Sequence, residues 1–318
     1  MPTTSSASNP AARRSAFVLL GMSIAVGSVS FTLVQVALRE LSPLALSCGR
    51  VVVSAVAFAL VVLRQPGLRT PIRKADRWKV LFCGFGGSAL FHLLFNWGQH
   101  QVSIAVAAVI MAMYPVLTAL GEVVFLRHRL RRLQVAGLML STLGCIAIGA
   151  TSGGSDGSAP LWGALAVLAA AIVWAAVTVV TRGFHGRYDA WWLNTPGTIV
   201  GAVFILVVAS PRLYEFGSLS VKGWLVVIWL GAASSAFIYY SLAKVMTVVS
   251  ATTATSMSTV VTPLSVLVAW VWLGQPPTWF EAIGGAVVVA GVVLVTRQAT
   301  EETEESETVT VPDVRSSI

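Results

Sequence analysis

The sequence predicts an all-α polytopic membrane protein of ten transmembrane helices, arranged as two inverted five-helix repeats. Three observations carry that prediction. The chain is 56% hydrophobic and only 11% charged, with a mean hydropathy of +0.81, and a soluble fold of this length would have to show much of that apolar surface to water. Ten segments meet or approach the ~20 apolar residues that a helix needs to cross ~30 Å of hydrocarbon. An offset of 148 residues superposes Pro115 on Pro263, Val123 on Val271 and Gly137 on Gly285, so the second half repeats the first.

The first span covers 17–38. Arg13 and Arg14 precede it, as in a secretory leader, but the apolar run from Ala16 to Leu38 carries no evident small-residue cleavage site and exceeds the ~7–15 residues of a leader's core. It reads as a membrane helix. The second span, 42–63, holds Arg50, and the third, 79–98, holds His92 and Asn96. The fourth, 102–126, runs into a basic knot of Arg127, Arg129, Arg131 and Arg132, and the fifth, 132–150, closes the first half at 17–150. The second half, 160–297, comprises spans at 160–181, 190–209, 222–242, 249–273 and 279–296, with Asn194 and Pro196 interrupting the seventh. Residues 1–16 and 298–318 are polar tails, and the glutamates at 301, 302, 304, 305 and 307 mark the last as disordered.

Charge sets the orientation, because lysine and arginine in short loops stay on the cytoplasmic side. With ten spans and the N-terminus inside, seventeen basic residues face inward and only Arg39, Arg212 and Lys222 face outward. Dropping one span would invert every later loop. Both termini are therefore expected in the cytoplasm, with the protein in the cytoplasmic (inner) cell membrane. Since five is odd, the second half must enter from the opposite face. The arginine-rich connector after the fourth span then faces inward, and its counterpart, Gln275 to Thr278, which has no basic residue, faces outward. Inverted repeats about an axis in the membrane plane are a recurrent build for secondary transporters, with the substrate site near the midplane.

Several classes are excluded. The net charge of +8 sits in short knots beside apolar runs, without a continuous basic stripe, so no nucleic-acid partner is expected. Cys48, Cys83 and Cys145 lie in apolar runs without paired spacing, which indicates neither a disulfide framework nor a zinc site. No Gly-rich Lys-Ser/Thr loop is present for ATP. No metal and no cofactor are expected; the partners are the lipid bilayer and a small-molecule solute. Small residues at intervals of four, Gly137, Ser141, Cys145 and Ala282, Ala286, Ala290, permit close helix approach within the scaffold or in a homodimer.

Polar groups inside spans are the candidate site. Glu122 lies about one turn from the inner end of the fourth span; it either snorkels to the arginines at 127–132 or serves as a proton- or cation-linked coupling carboxylate. Arg50, roughly 12 Å along the second span, reads as structural, bonding backbone carbonyls or reaching outward, in preference to binding a substrate carboxylate. His92, Asn96 and Gln99 form a polar stripe, which is either a set of interhelical hydrogen bonds or a cavity wall, and Tyr240 is the image of His92 at the 148-residue offset. His92 is the natural group to titrate near neutral pH. Thr252, Ser256, Thr259 and Pro263 share a face of the ninth span, Ser28, Thr32 and Gln35 one of the first, and Trp174 and Thr178 one of the sixth. Pro115, beside Tyr114, and Pro263 each remove a backbone bond at matching positions and should kink the fourth and ninth spans. Paired irregularities of this kind point to a transport site.

The ten-span plan, the five-plus-five inversion and the helix–Pro–helix connector closing each half resemble the EamA-type branch of the drug/metabolite transporter superfamily. The resemblance covers roughly 17–297. Where that family commonly has Leu-Gly-Glu and then a basic residue, this chain has Arg127 and His128 at the Gly-Glu positions of the first half and Gly274 and Gln275 in the second. Arg50 matches an arginine often found early in the second helix. The resemblance implies export of small metabolites, amino acids or drugs through a central cavity lined by helices 1, 3 and 4 of each half. A membrane-embedded enzyme, such as a lipid or prenyl transferase, is the second reading. It would need clustered acids or histidines at a membrane face, where the inner loops hold mostly arginine.

Overall fold

The computed structural model describes residues 10–102, 104–111, 113–126, 132–151, 161–184 and 186–274, with scattered positions between 279 and 294. Among them there are helices and no strands. In order they are α1 (Pro10–Ala37), α2 (Pro43–Arg64), α3 (Arg77–Phe85), α4 (Phe91–Gln101), α5 (Ile104–Met111), α6 (Tyr114–Phe125) and α7 (Arg132–Thr151), then α8 (Leu161–Gly183), α9 (Ala190–Val208), α10 (Val221–Gly231), α11 (Ile238–Val245), α12 (Ala251–Ser258) and α13 (Val261–Leu273). Seven helices in the described residues are long and apolar enough to cross a membrane, from Arg14–Ala37 to Ala251–Trp272. They coincide with the expected first, second, third, sixth, seventh, eighth and ninth spans. The expected fourth span is split into α5 and α6, and the fifth coincides with α7. Parts of the tenth, the connector Gln275 to Thr278, the knot at 127–131, residues 1–9 and the C-terminal tail lie outside the described residues, whereas the rest of the expected N-terminal tail, from Pro10, is helical and runs into the first span as part of α1.

The paired prolines divide their spans more sharply than a kink. Pro115 sits in the first turn of α6, after a turn at Met113, and Pro263 in the first turn of α13, after turns at Thr259 and Val260. A helix tolerates proline there because the N–H it lacks would have no helical partner. Each proline thus opens a second helical segment. Pro196, by contrast, leaves α9 continuous. Asp189 caps its N-terminus through Trp191 N, and the side chains of Asn194 and Thr195 donate to the Ala190 and Trp191 carbonyls at 2.9 and 2.7 Å, close to the backbone bond that Pro196 cannot make.

A second pair of irregularities was not expected. The third and eighth spans each contain a π-helical turn, Gly86–Leu90 between α3 and α4 and Ala232–Phe237 between α10 and α11. Such turns add a residue to a helix, rotate every side chain beyond them, and recur at functional sites.

The halves interlock. α2 packs on α9 and α10, α4 on α8, α6 on α8 and α12, and α1 on α11 and α13. Close approach of α3 to α9 needs glycine, since a Cβ on Gly84 would lie 2.5 Å from Thr198 N. Polar ties collect in two groups at opposite ends of α2 and α9. At one end Glu215 accepts from Ser42 N at 2.7 Å, and Glu40 accepts from Ser220 N and Oγ at 2.9 Å each. At the other, Asp76 accepts from Arg187 at 2.8 Å and Tyr188 at 2.7 Å, Trp192 donates to Thr70 O at 2.8 Å, and Lys244 faces Asp189 at 3.7 Å.

Candidate functional site

A cavity of about 160 Å³ lies where the halves meet. The first half lines it from α1, α2, α4, α5 and α6, the second from α8, the Ala232–Phe237 π turn, α11, α12 and α13. One wall is a continuous run of rings. Phe31 meets Phe95 edge-on at 5.6 Å, Phe95 stacks with Phe91 at 5.4 Å, Phe91 tilts against Trp174 at 5.1 Å, and Trp174 against Tyr239 at 4.9 Å. Two helices of the first half and two of the second build this wall, with ring separations in the favourable range. The hydroxyls nearby are mostly satisfied within their own helices: Ser23 donates to Leu19 O, Ser30 to Val26 O and Ser258 to Ala254 O. Among the described residues the one charged lining side chain is Arg50.

Arg50 is 3% exposed, and among the described residues its bonds run to side chains rather than to the backbone carbonyls, or the outward reach, that the sequence suggested. Its Nη1 donates to Asn96 Oδ1 at 3.0 Å and its Nη2 to Ser234 Oγ at 3.4 Å. Asn96 is itself fixed, donating from Nδ2 to Ser47 Oγ at 2.8 Å, and Ser47 donates on to the His92 and Pro43 carbonyls at 3.0 and 2.7 Å.

His92 lies beside this cluster, fully buried, in contact with the π turn of the other half: its Nε2 and Ser235 Oγ are 2.7 Å apart. Tyr239 reciprocates, donating to Gly87 O in the first-half π turn, and its hydroxyl is 3.3 Å from His92 Nδ1. The register explains the reciprocity. α4 starts at Phe91 and α11 at Ile238, 147 residues on, so counted from these two helix starts the counterpart of His92 is Tyr239, although Pro115 and Pro263 further along keep the offset of 148. Tyr240, paired with His92 by the constant offset, stacks on Trp191 at 4.5 Å and is not in the cavity wall.

Glu122 lies across the divide from α12 and does not extend toward solvent. Its carboxylate, 2% exposed, accepts from Ala251 N at 3.1 Å, Thr252 N at 2.7 Å and Thr252 Oγ1. A carboxylate on free N–H groups at a helix N-terminus satisfies both the donors and the helix dipole. Ser250 adds the side-chain cap, accepting from Thr253 N at 3.1 Å.

Of the other expected residues, Tyr114, Trp174 and Thr259 line the cavity. Ser28, Thr178 and Ser256 bond carbonyls of their own helices, and Gln35 donates to Gln99 O at 3.2 Å, tying α1 to α4. Thr32 is buried with an unpaired hydroxyl among the described residues. Sequence reasoning missed Tyr239, Ser234, Ser235 and the phenylalanines. The small-residue runs Gly84–Gly87 and Gly231–Ser235 were the available signal.

Two stretches, 14–150 and 161–297, match the EamA-like transporter family. A probable terminal-alkyne amino-acid exporter of Streptantibioticus cattleyicolor is 28% identical, over 91% of this chain and 96% of its own length. The uncharacterized transporter YdfC of Bacillus subtilis is 30% identical, over 86% of this chain and 89% of its own. The aromatic amino acid exporter YddG of Ancylobacter novellus is 27% identical, over 57% and 59%. A solved crystal structure at 23% identity shares the fold with a TM-score of 0.74, covering 91% of this chain and 98% of that one.

Proposed function

Because this chain belongs to the EamA-like transporter family, we propose that it exports a small organic metabolite, an amino acid or a drug-like solute, across the cytoplasmic membrane by alternating access. The observation that carries the reading is the cavity itself, walled by both halves. A solute there touches elements of each repeat, so a relative movement of the halves changes its access. The two relatives named as amino-acid exporters support the solute class. In this reading ten spans form two inverted halves, 17–150 and 160–297, with both termini cytoplasmic. Two family matches of similar length, the paired π turns and the split proline spans support the duplication.

The solute path runs past Tyr114, Trp174 and Thr259. Ser28, Thr32, Gln35, Asn96, Thr178, Tyr240, Thr252 and Ser256 support or flank it, and His92 and Glu122, which bridge the halves, are the groups through which proton coupling would run. The test compares efflux of amino acids and aromatic drugs from cells with and without the chain, then with Trp174→Ala and Tyr114→Ala. The variants should slow efflux at unchanged membrane abundance. Undiminished efflux by both would sink the cavity assignment.

A further inference from the structure

Arg50 carries more than a packing role explains. It is almost fully buried and on the cavity wall, and its hydrogen-bond partners, Asn96 and Ser234, are neutral. Its Nε has no partner, and no carboxylate pairs with it, among the described residues. A guanidinium offers five donors, and neutral acceptors leave its charge uncompensated. Keeping a bare cation in a low-dielectric interior is costly, and ionisable groups at membrane depth mark substrate pathways by default.

We propose that Arg50 is the anchor for the anionic group of the solute, and that the cavity accordingly takes amphipathic organic acids, a carboxylate on an aromatic or aliphatic body, in preference to amines. This rests on the proposed transport function. A planar guanidinium fork matches a carboxylate in two-point geometry, and the Asn96 amide, held from behind by Ser47, fixes the orientation of the fork. The ring wall from Phe31 to Tyr239 covers the apolar body. An amine meets the opposite field. Among the described residues the cavity offers no carboxylate to receive it, so the ammonium of an amino acid rests on aromatic faces such as Trp174 and contributes less than its carboxylate.

The test is equilibrium binding to the purified full chain in lipid nanodiscs, with 3-phenylpropionate, phenylalanine and phenethylamine as probes. Both acids should bind saturably and the amine at least about tenfold more weakly, the scale set by losing one partner of a buried charge pair. Arg50→Gln should lose at least about tenfold for the acids, while Arg50→Lys, which keeps the charge without the fork, falls between. Phenethylamine binding as tightly as 3-phenylpropionate, acid binding unchanged in a folded Arg50→Gln, or no acid binding by folded wild type each overturns the proposal. If Arg50→Gln does not fold, the wild-type preference and Arg50→Lys decide it. Acid binding without any export would retire the exporter reading and leave the anchor standing.

Discussion

Glu122 shows how one side chain can join two repeats. It sits on α6 but serves the free N–H groups of α12, so its removal leaves the Ala251 and Thr252 N–H groups of a helix in the other half without their acceptor. Glu122→Ala should cost about 1–3 kcal/mol, the usual penalty for orphaned buried donors, read as a lower thermal unfolding temperature in detergent or nanodiscs; Glu122→Gln should cost less, because it keeps the acceptor and loses the charge. An unfolding temperature unchanged in the alanine variant would mean that the cap contributes nothing. A buried acid near a span end was visible in the sequence. Its target was not, because the pairing joins positions 129 residues apart on helices whose packing no periodicity reveals. Tyr239 makes the same point at closer range. Tyr239→Phe removes the hydroxyl that donates to the Gly87 carbonyl and leaves His92 Nδ1 without it, at a cost of about 1–3 kcal/mol, whereas Tyr240→Phe should fall within about 0.5 kcal/mol of wild type. Equal effects at the two tyrosines would refute the 147-residue register.

The split spans and the π turns place the irregular backbone of each half beside the cavity. The prolines announced the first pair, since few residues constrain a helix as strongly. The π turns went unread because an extra residue per turn changes no composition and leaves only a cluster of small residues behind. If the breaks serve movement between two packings, restoring continuity should trade activity for rigidity. Pro115→Ala and Pro263→Ala should each raise or preserve the unfolding temperature while slowing efflux, with the double variant slowest. Unimpaired efflux in the double variant would make the breaks incidental. The α3–α9 contact is of the opposite kind, rigid and intolerant. Gly84→Leu drives a side chain into the α9 backbone, an overpacking that costs about 1–3 kcal/mol or more, and it should reduce the yield of monodisperse protein from membranes.

At the scale of the molecule, the inverted arrangement is part of the proposed ten-span topology, which rests on parity and arginine placement, and the contacts between span ends are consistent with it. If ten spans alternate as the charges require, residues 40, 42, 215 and 220 share the outer side, and 70, 76, 122, 187, 189, 192, 244 and 251 share the inner side. The polar ties between span ends each join residues within one set: Glu40 with Ser220, Ser42 with Glu215, Asp76 with Arg187, Thr70 with Trp192 and Glu122 with Ala251. The agreement of these contacts with the charge bias supports the proposed alternation of the spans. The sharpest check uses exposed loop positions from each set in a background where Cys48, Cys83 and Cys145 are alanine. A membrane-impermeant maleimide should modify Ser218→Cys in intact cells and Thr70→Cys only after permeabilisation. Were both modified from the same side, the halves could not be inverted, and a cavity walled by both would have no second face to open to.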